Sequence, residues 1–444
     1  MEFLHRPGGA VGLRVGALLD LALALTLALF LAGCTTPGPR PPESHWVAAW
    51  GGALLAQPVP AATPAATPAS SPWRQPMRDV SLRQIVRVSA AGRALRVLVS
   101  NRFGEEPLVI TAASIARVTE LQPQPVPEAA TLLPLRFAGR RELTLAPHAQ
   151  AWSDPIELAV PALADVAIQW HVQAGPGQAS VHPGSRIRSW AVPGQRADAA
   201  DWTDAVAQDG WWHLAAVDVL AAAPLPVLVA TGDSITDGYG VPPGSYQRWT
   251  DALARRLAAI GRSAAVVNTG IGGGRLLRDG AGPSLTSRFE RDVLAQTGVT
   301  HAIVLIGIND LGVSHRGQPT TPASRAALLA ELKAGFAQLA ERARAAGVCL
   351  IGATVLPYGG SGYYAPGPEN EADRQALNAW LREPGRFDAL LDFDALMRDP
   401  ARPGHLRADV DNDGLHPSLA GYRVMADAFP VELLDRRCAR LSAP

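Results

Sequence analysis

The stretch VLVATGDSITDGYG, from Val227 to Gly240, ends an apolar run at Gly232-Asp233-Ser234. A serine placed there is either a nucleophile presented at a strand end or one more turn residue, because Gly, Asp and Ser are ordinary in turns. A hydroxyl is a weak nucleophile until a base takes its proton, and the base needs an orienting partner. The segment DNDGLHPS puts Asp413 three residues before His416. In a loop, that carboxylate can fold back onto the ring Nδ1–H, fix the tautomer and leave Nε2 facing a hydroxyl. Acyl transfer also needs donors for a developing oxyanion, and NTGIGGGRLL and IGINDLG offer them: a glycine with an approachable N–H, and the Asn309 amide. Taken singly, each has a plain alternative. His416 can be a loop residue ahead of a helix, Gly272 to Gly274 a permissive turn, and Asn309-Asp310 a helix cap.

These residues can act together only if a scaffold gathers them. From residue 227 onward, short apolar runs at Val227 to Thr231, Ala264 to Asn268, Ala302 to Ile306, Leu350 to Val355 and Leu390 to Phe393 read as buried strands. Helical stretches are expected between them at Tyr246 to Ile260, Ala323 to Ala346 and Glu371 to Arg382, with Ser418 to Leu434 closing the chain. Leu328, Leu329, Leu332, Phe336 and Leu339 recur at helical spacing and should face the sheet. Alternating strands and helices imply an α/β fold with a parallel, doubly wound five-stranded sheet. Functional groups in such sheets gather at the carboxyl ends of strands, where Ser234, Asn268, Gly307 and Thr354 fall.

Upstream, from about Trp46, the signals are for strands alone. IVRVSA, LRVLVS, LVITAASIARV and VAIQWHV are rich in Val and Ile and separated by turn clusters. They suggest an all-β sandwich of jelly-roll type over 46–222, with a low-complexity insertion at 56–72. AAAPLP, residues 221 to 226, reads as the hinge to a second domain over 223–444. Trp202, Trp211 and Trp212, with Trp46 and Trp50, are read first as packing residues; if exposed, they could stack on sugar rings. Tyr358, Tyr363 and Tyr364, in the loop after the fourth strand, are expected to wall the site.

The 444-residue chain balances 40 Lys+Arg against 40 Asp+Glu. That neutrality, with no basic run, argues against nucleic acid as a partner. His5, Arg6 and Arg14 precede LALALTLALFLAGC, whose apolar part is too short to span a bilayer but suits a signal peptide over 1–33. LAGC resembles the bacterial lipobox, which implies lipidation of Cys34. TTPGPRPPES then begins a Pro-rich tether over 34–45. With Thr35 after the cysteine, that resemblance implies an exported protein anchored by lipid, in the outer membrane. Cys349 and Cys438 can form one disulfide or remain buried thiols.

GDSI, the glycine-rich block and GIND follow the first, second and third strands in that order, and DGLH lies in the loop just before the last helix. Together they resemble the SGNH, or GDSL-type, hydrolases over roughly residues 226 to 430. The resemblance implies that Ser234 is the nucleophile, His416 the general base and then acid, and Asp413 its orienting carboxylate. It also implies an oxyanion hole formed by the N–H groups of Ser234 and Gly273 and the side chain of Asn309. Block two departs from the usual Ser-Gly-Asn, reading Gly272-Gly273-Gly274, which leaves room for a neighbouring glycine to serve. DVDNDG, Asp409 to Gly414, copies the start of a calcium loop, but its twelfth position falls on Ala420 where a glutamate is required. GIGGGR has Arg275 where a dinucleotide loop needs its third glycine. No metal or cofactor is expected. The implied activity is hydrolysis of small acyl esters, acetyl foremost, on a carbohydrate. The alternatives are a lipolytic esterase or lysophospholipase, an acyl transferase, and a non-catalytic glycan-binding surface protein.

Overall fold

A computed structural model describes residues 45–57, 71–121, 123–316 and 320–438. The signal-like segment, residues 34–44 of the tether with Cys34, and residues 58–70 of the low-complexity insertion lie outside the described residues.

The second half is built on a five-stranded parallel sheet. Val227–Gly232, Ala265–Gly270, His301–Leu305, Cys349–Ala353 and Ala389–Leu391 pair in the order second, first, third, fourth, fifth. Apart from Asn268, every residue of the first four strands is buried. Strands covered on both faces read as unbroken apolar runs rather than alternations. The strand order reverses around Val227–Gly232, the switch point where sheets of this kind open a crevice. Register pairs Gly232 with both Gly270 and Leu305, so the loops bearing Ser234, the glycines and Asn309 leave the same edge at one height. A Cβ on Gly232 would lie 2.1 Å from the Leu305 carbonyl oxygen, which restricts this position to glycine.

Helices form over Trp249–Ala259, Pro322–Ala346, Pro368–Leu381 and Leu419–Asp427. Pro322–Ala346 starts on Thr321, whose hydroxyl accepts from the Ser324 N–H, and ends on a left-handed Gly347. Its Leu332, Phe336 and Leu339 are buried, while Leu328 and Leu329 are half-buried. The closing helix stops well short of the expected Leu434. Pro430 has no N–H to donate and disfavours helix at Phe429, and the chain resumes as a short 3₁₀ turn over Val431–Asp435. Cys349 and Cys438 form a disulfide, tying the start of the fourth strand to the C-terminal segment.

The first half is mostly antiparallel. One seven-stranded sheet runs Val206–Asp209, Arg188–Pro193, Arg78–Arg87, Asp165–Ala174, Leu108–Val118 and Leu133–Pro134, with Leu143–Leu145 also on Leu108–Val118. A second, four-stranded sheet runs His45–Gly51, Leu214–Ala221, Leu95–Ser100 and Gln150–Trp152. Trp50, Trp202, Trp211 and Trp212 are buried, so they serve packing. The two halves are bonded directly: the Ala48 N–H donates to Thr297 O at 2.9 Å, and the Val266 N–H to Ser89 Oγ at 2.9 Å.

Candidate active site

Ser234 opens a short helix, Ser234–Asp237, immediately past the first strand of the parallel sheet. Asp233 caps this helix, its Oδ1 accepting the Ile235 N–H at 3.0 Å. Burial and the nearby Asp310 push the Asp233 carboxyl up to about 7, against the pull of the Ile235 N–H and Arg288. Arg288 is fully buried and grips both strand ends, donating to Thr269 O at 2.7 Å and Gly232 O at 2.9 Å. Its charge is met by Asp292 at 3.1 Å. The serine therefore rises just past a strand end whose last carbonyl, with one of the neighbouring strand, is fixed by Arg288.

His416 reaches the same point from a loop between residues 406 and 419. Its Nε2 lies 2.9 Å from Ser234 Oγ, and its Nδ1 lies 2.9 Å from Asp413 Oδ2. Asp413 Oδ1 also accepts the backbone N–H of His416 at 2.8 Å and of Leu415 at 3.1 Å. Burial opposes the Asp413 charge, but these donors outweigh it and hold the carboxyl below its ordinary range. Burial lowers the His416 imidazole below its ordinary value; Asp413 pulls it back up and Arg186 adds to the lowering. The other acids of the calcium-like run are occupied: Asp409 pairs with Arg407, and Asp411 accepts the Gly414 N–H at 2.7 Å. Among the described residues, no cluster of three or more His, Cys, Asp or Glu side chains is arranged to hold a metal ion.

Asn309 sits in the first turn of the helix Ile308–His315 and is 3% exposed. Its Nδ2 donates to Gly274 O at 2.8 Å, and its Oδ1 accepts the Tyr364 hydroxyl at 2.6 Å. Neighbouring Asp310 accepts the N–H groups of Leu276 at 2.8 Å and Leu277 at 3.1 Å, tying down the end of the glycine-rich loop. Within that loop Gly273 is exposed with φ +71°, and its N–H meets no acceptor among the described residues. The Gly274 N–H is spent on Ile271 O at 2.8 Å. Gly274 nonetheless lies against the nucleophile turn, since a Cβ there would be 3.6 Å from Asp233 Cα.

Of the three loop tyrosines, Tyr364 touches Asn309, Tyr358 packs edge-on beneath Tyr364 at 6.1 Å, and Tyr363 is 59% exposed. Sequence reasoning missed Tyr239, although it lies in the same stretch as Ser234. Its ring stacks on His416, with centroids 4.0 Å apart and planes 23° apart. It also missed Arg288, a single arginine with no local pattern to mark it.

A hydroxyl, an imidazole and a carboxylate stand in one hydrogen-bonded chain beside an amide donor at a parallel-sheet switch point, the set of groups that serine-type acyl chemistry requires. Residues 230–424 match the model of the GDSL-like Lipase/Acylhydrolase family, and this part of the chain belongs to that family. The protein is thus an ester hydrolase. A search of the curated proteins finds no match. Among solved structures, the chain is similar to the acetylxylan esterase Axe2 of Geobacillus stearothermophilus, at 22% identity over 46% of this chain and 94% of that one, with a TM-score of 0.34. It is also similar to the psychrotrophic esterase EstA of a Pseudoalteromonas species, at 20% identity over 46% and 93%, with a TM-score of 0.33. A GDSL-like lipase from Bacteroides thetaiotaomicron matches at 18% identity over 46% and 84%, with a TM-score of 0.34.

Proposed function

We propose that this protein is an exported serine esterase that removes small acyl groups, acetyl foremost, from a carbohydrate. The observation that carries the mechanism is the 2.9 Å approach of His416 Nε2 to Ser234 Oγ, backed by Asp413. His416 takes the Ser234 proton as Oγ attacks the ester carbonyl carbon. The N–H groups of Ser234 and Gly273 and the Asn309 amide hold the oxyanion of the tetrahedral intermediate. His416 then gives its proton to the departing alcohol, leaving an acyl-serine. A water deprotonated by His416 attacks that ester, and collapse of the second tetrahedral intermediate frees the acid and returns the proton to Ser234.

A small acyl group fits the near-closed setting, since Ser234, His416 and Asn309 are 8%, 6% and 3% exposed. Sugar hydroxyls suit the rim, where Tyr239 at 44% and Tyr363 at 59% exposure present amphipathic ring edges on the His416 and Asn309 sides. The test is a panel of p-nitrophenyl esters from acetate to longer chains, with acetylated xylan, on wild type and Ser234→Ala. Wild-type rates should fall with chain length, and the variant should lose about 10⁴-fold or more. Full activity in Ser234→Ala would remove the nucleophile assignment; preference for long chains would favour the lipolytic reading.

Export and a lipid anchor at Cys34 belong to the same proposal. The disulfide between Cys349 and Cys438 supports an oxidising destination. Labelled palmitate should enter the wild-type protein and not Cys34→Ala; equal labelling of both would overturn the anchor.

A further inference from the structure

The antiparallel half does more than abut the hydrolase sheet, because one of its turns reaches the site. His182 ends the strand Ser180–His182, and its Nε2 lies 2.9 Å from Asp237 Oδ1, on the helix that Ser234 begins. The other ring nitrogen lies 2.8 Å from Ala53 O. Gly184 follows and lies against the Asp237 carboxylate, so any side chain there would force the carboxylate to shift. Arg186 then places Nη2 3.5 Å from Asp237 Oδ2 and its guanidinium over the Tyr239 ring, 5.9 Å from the centroid. Tyr239 is the residue stacked on His416.

This turn is fastened from both halves. The Gly210 N–H donates to Ser185 Oγ at 2.8 Å from the antiparallel side. From the hydrolase side, the Gly244 N–H donates to Arg186 O at 2.8 Å and the Arg248 guanidinium to Ser185 O. Arg186 is held at φ +54°, a left-handed conformation that non-glycine residues take up at a cost of about 1 kcal/mol or more and keep only when the surroundings impose it.

We propose that the turn from Gly184 to Ile187 is part of the active site, with Arg186 and Tyr239 acting as positioning residues on His416. The proposal rests on the reading of Ser234 as nucleophile and His416 as base. Tyr239 covers a face of the imidazole and excludes water from it. Arg186 brings a positive charge that disfavours a second positive charge on the ring. Both effects keep His416 in the neutral form that can accept the serine proton. The charged groups that act on the ring are Asp413 on its own loop and Arg186; Arg186 is itself faced by Asp237, which His182 holds, and Tyr422 of the last helix stands behind Tyr239. Tyr422 donates its hydroxyl to Tyr239 O at 2.8 Å and so fixes that residue from behind.

The sign follows from the charges. Removing the Arg186 cation raises the His416 pKa, so the acidic limb of kcat/KM moves to higher pH. Uncovering the ring moves it the same way, because hydration favours the imidazolium. The experiment measures kcat/KM for p-nitrophenyl acetate against pH on the full chain for wild type, Arg186→Met, Arg186→Lys, Tyr239→Leu and Ser234→Ala. The limb should rise by about half a pH unit in Arg186→Met and in Tyr239→Leu, and return towards wild type in Arg186→Lys. A merely structural role would lower activity without moving the limb. If the limb stays in place in both Arg186→Met and Tyr239→Leu while Ser234→Ala is inactive, this inference fails and the serine mechanism stands. If Ser234→Ala remains active, the underlying mechanism fails first.

Discussion

Ser234 and Asp413 stand at opposite ends of one hydrogen-bonded chain, yet their surroundings differ. Ser234 is 8% exposed and rises just past a strand end gripped by the buried Arg288, beside a sheet whose register leaves no room for a side chain at Gly232. The Asp413 side chain is 36% exposed and is held by local bonds from its own loop, two of them backbone N–H groups. The contrast fits what each group must do in the proposed mechanism. A nucleophile has to meet a carbonyl carbon at one distance and angle, and close packing supplies that precision. A carboxylate has only to hold a ring and its charge, and water around it does no harm so long as the loop keeps its shape.

The contrast can be broken most forcefully at Asp413. Asp413→Ala should lower kcat/KM by about 10³–10⁴-fold, by loss of the tautomer and of the imidazolium's partner. Because the position is open to solvent, added formate should recover part of the rate, as measured in a titration of the variant. A variant that formate leaves unchanged would mean the exposed end is as closed as the serine end. A smaller effect sharpens the other side. Tyr364→Phe deletes the 2.6 Å bond to Asn309 Oδ1 and should cost about 3- to 10-fold in kcat, with KM little changed, since one hydrogen bond is worth about 1 kcal/mol. An unaltered kcat would show that the Asn309 amide is held well enough by Gly274 alone.

What could be read from the sequence follows the same division. Ser234, Asn309, His416 and Asp413 stood out because acyl chemistry needs those residue types and because their order resembles the SGNH hydrolases; the structure joins Ser234, His416 and Asp413 in one hydrogen-bonded chain. The strands were legible because buried parallel strands must be apolar: Val227 to Thr231 was expected, and Val227–Gly232 forms. Arg288, Tyr239 and Arg186 were not legible as parts of one site. Each acts across the fold, on the Gly232 and Thr269 carbonyls, on a ring from the far end of the chain, and on a carboxylate in the other half. No local spacing encodes such meetings. The choice between Gly273 and its neighbours also stayed open, since three successive glycines impose no loop shape of their own. The closing helix was overextended because the apolar spacing continues past Pro430, while the missing N–H acts through the backbone.

The bridge between Cys349 and Cys438 spans 89 residues, and within that span lie both Asp413 and His416. While the bridge is intact, the unfolded chain carries a closed ring that is worth about 4–5 kcal/mol to the folded form on the chain-entropy account. Asp413 and His416 thus travel on the segment that the bridge restrains, whereas Ser234 lies outside it. A thiol reductant would therefore lower the stability of the folded form, and a newly made chain would acquire its full resilience only after meeting an oxidant.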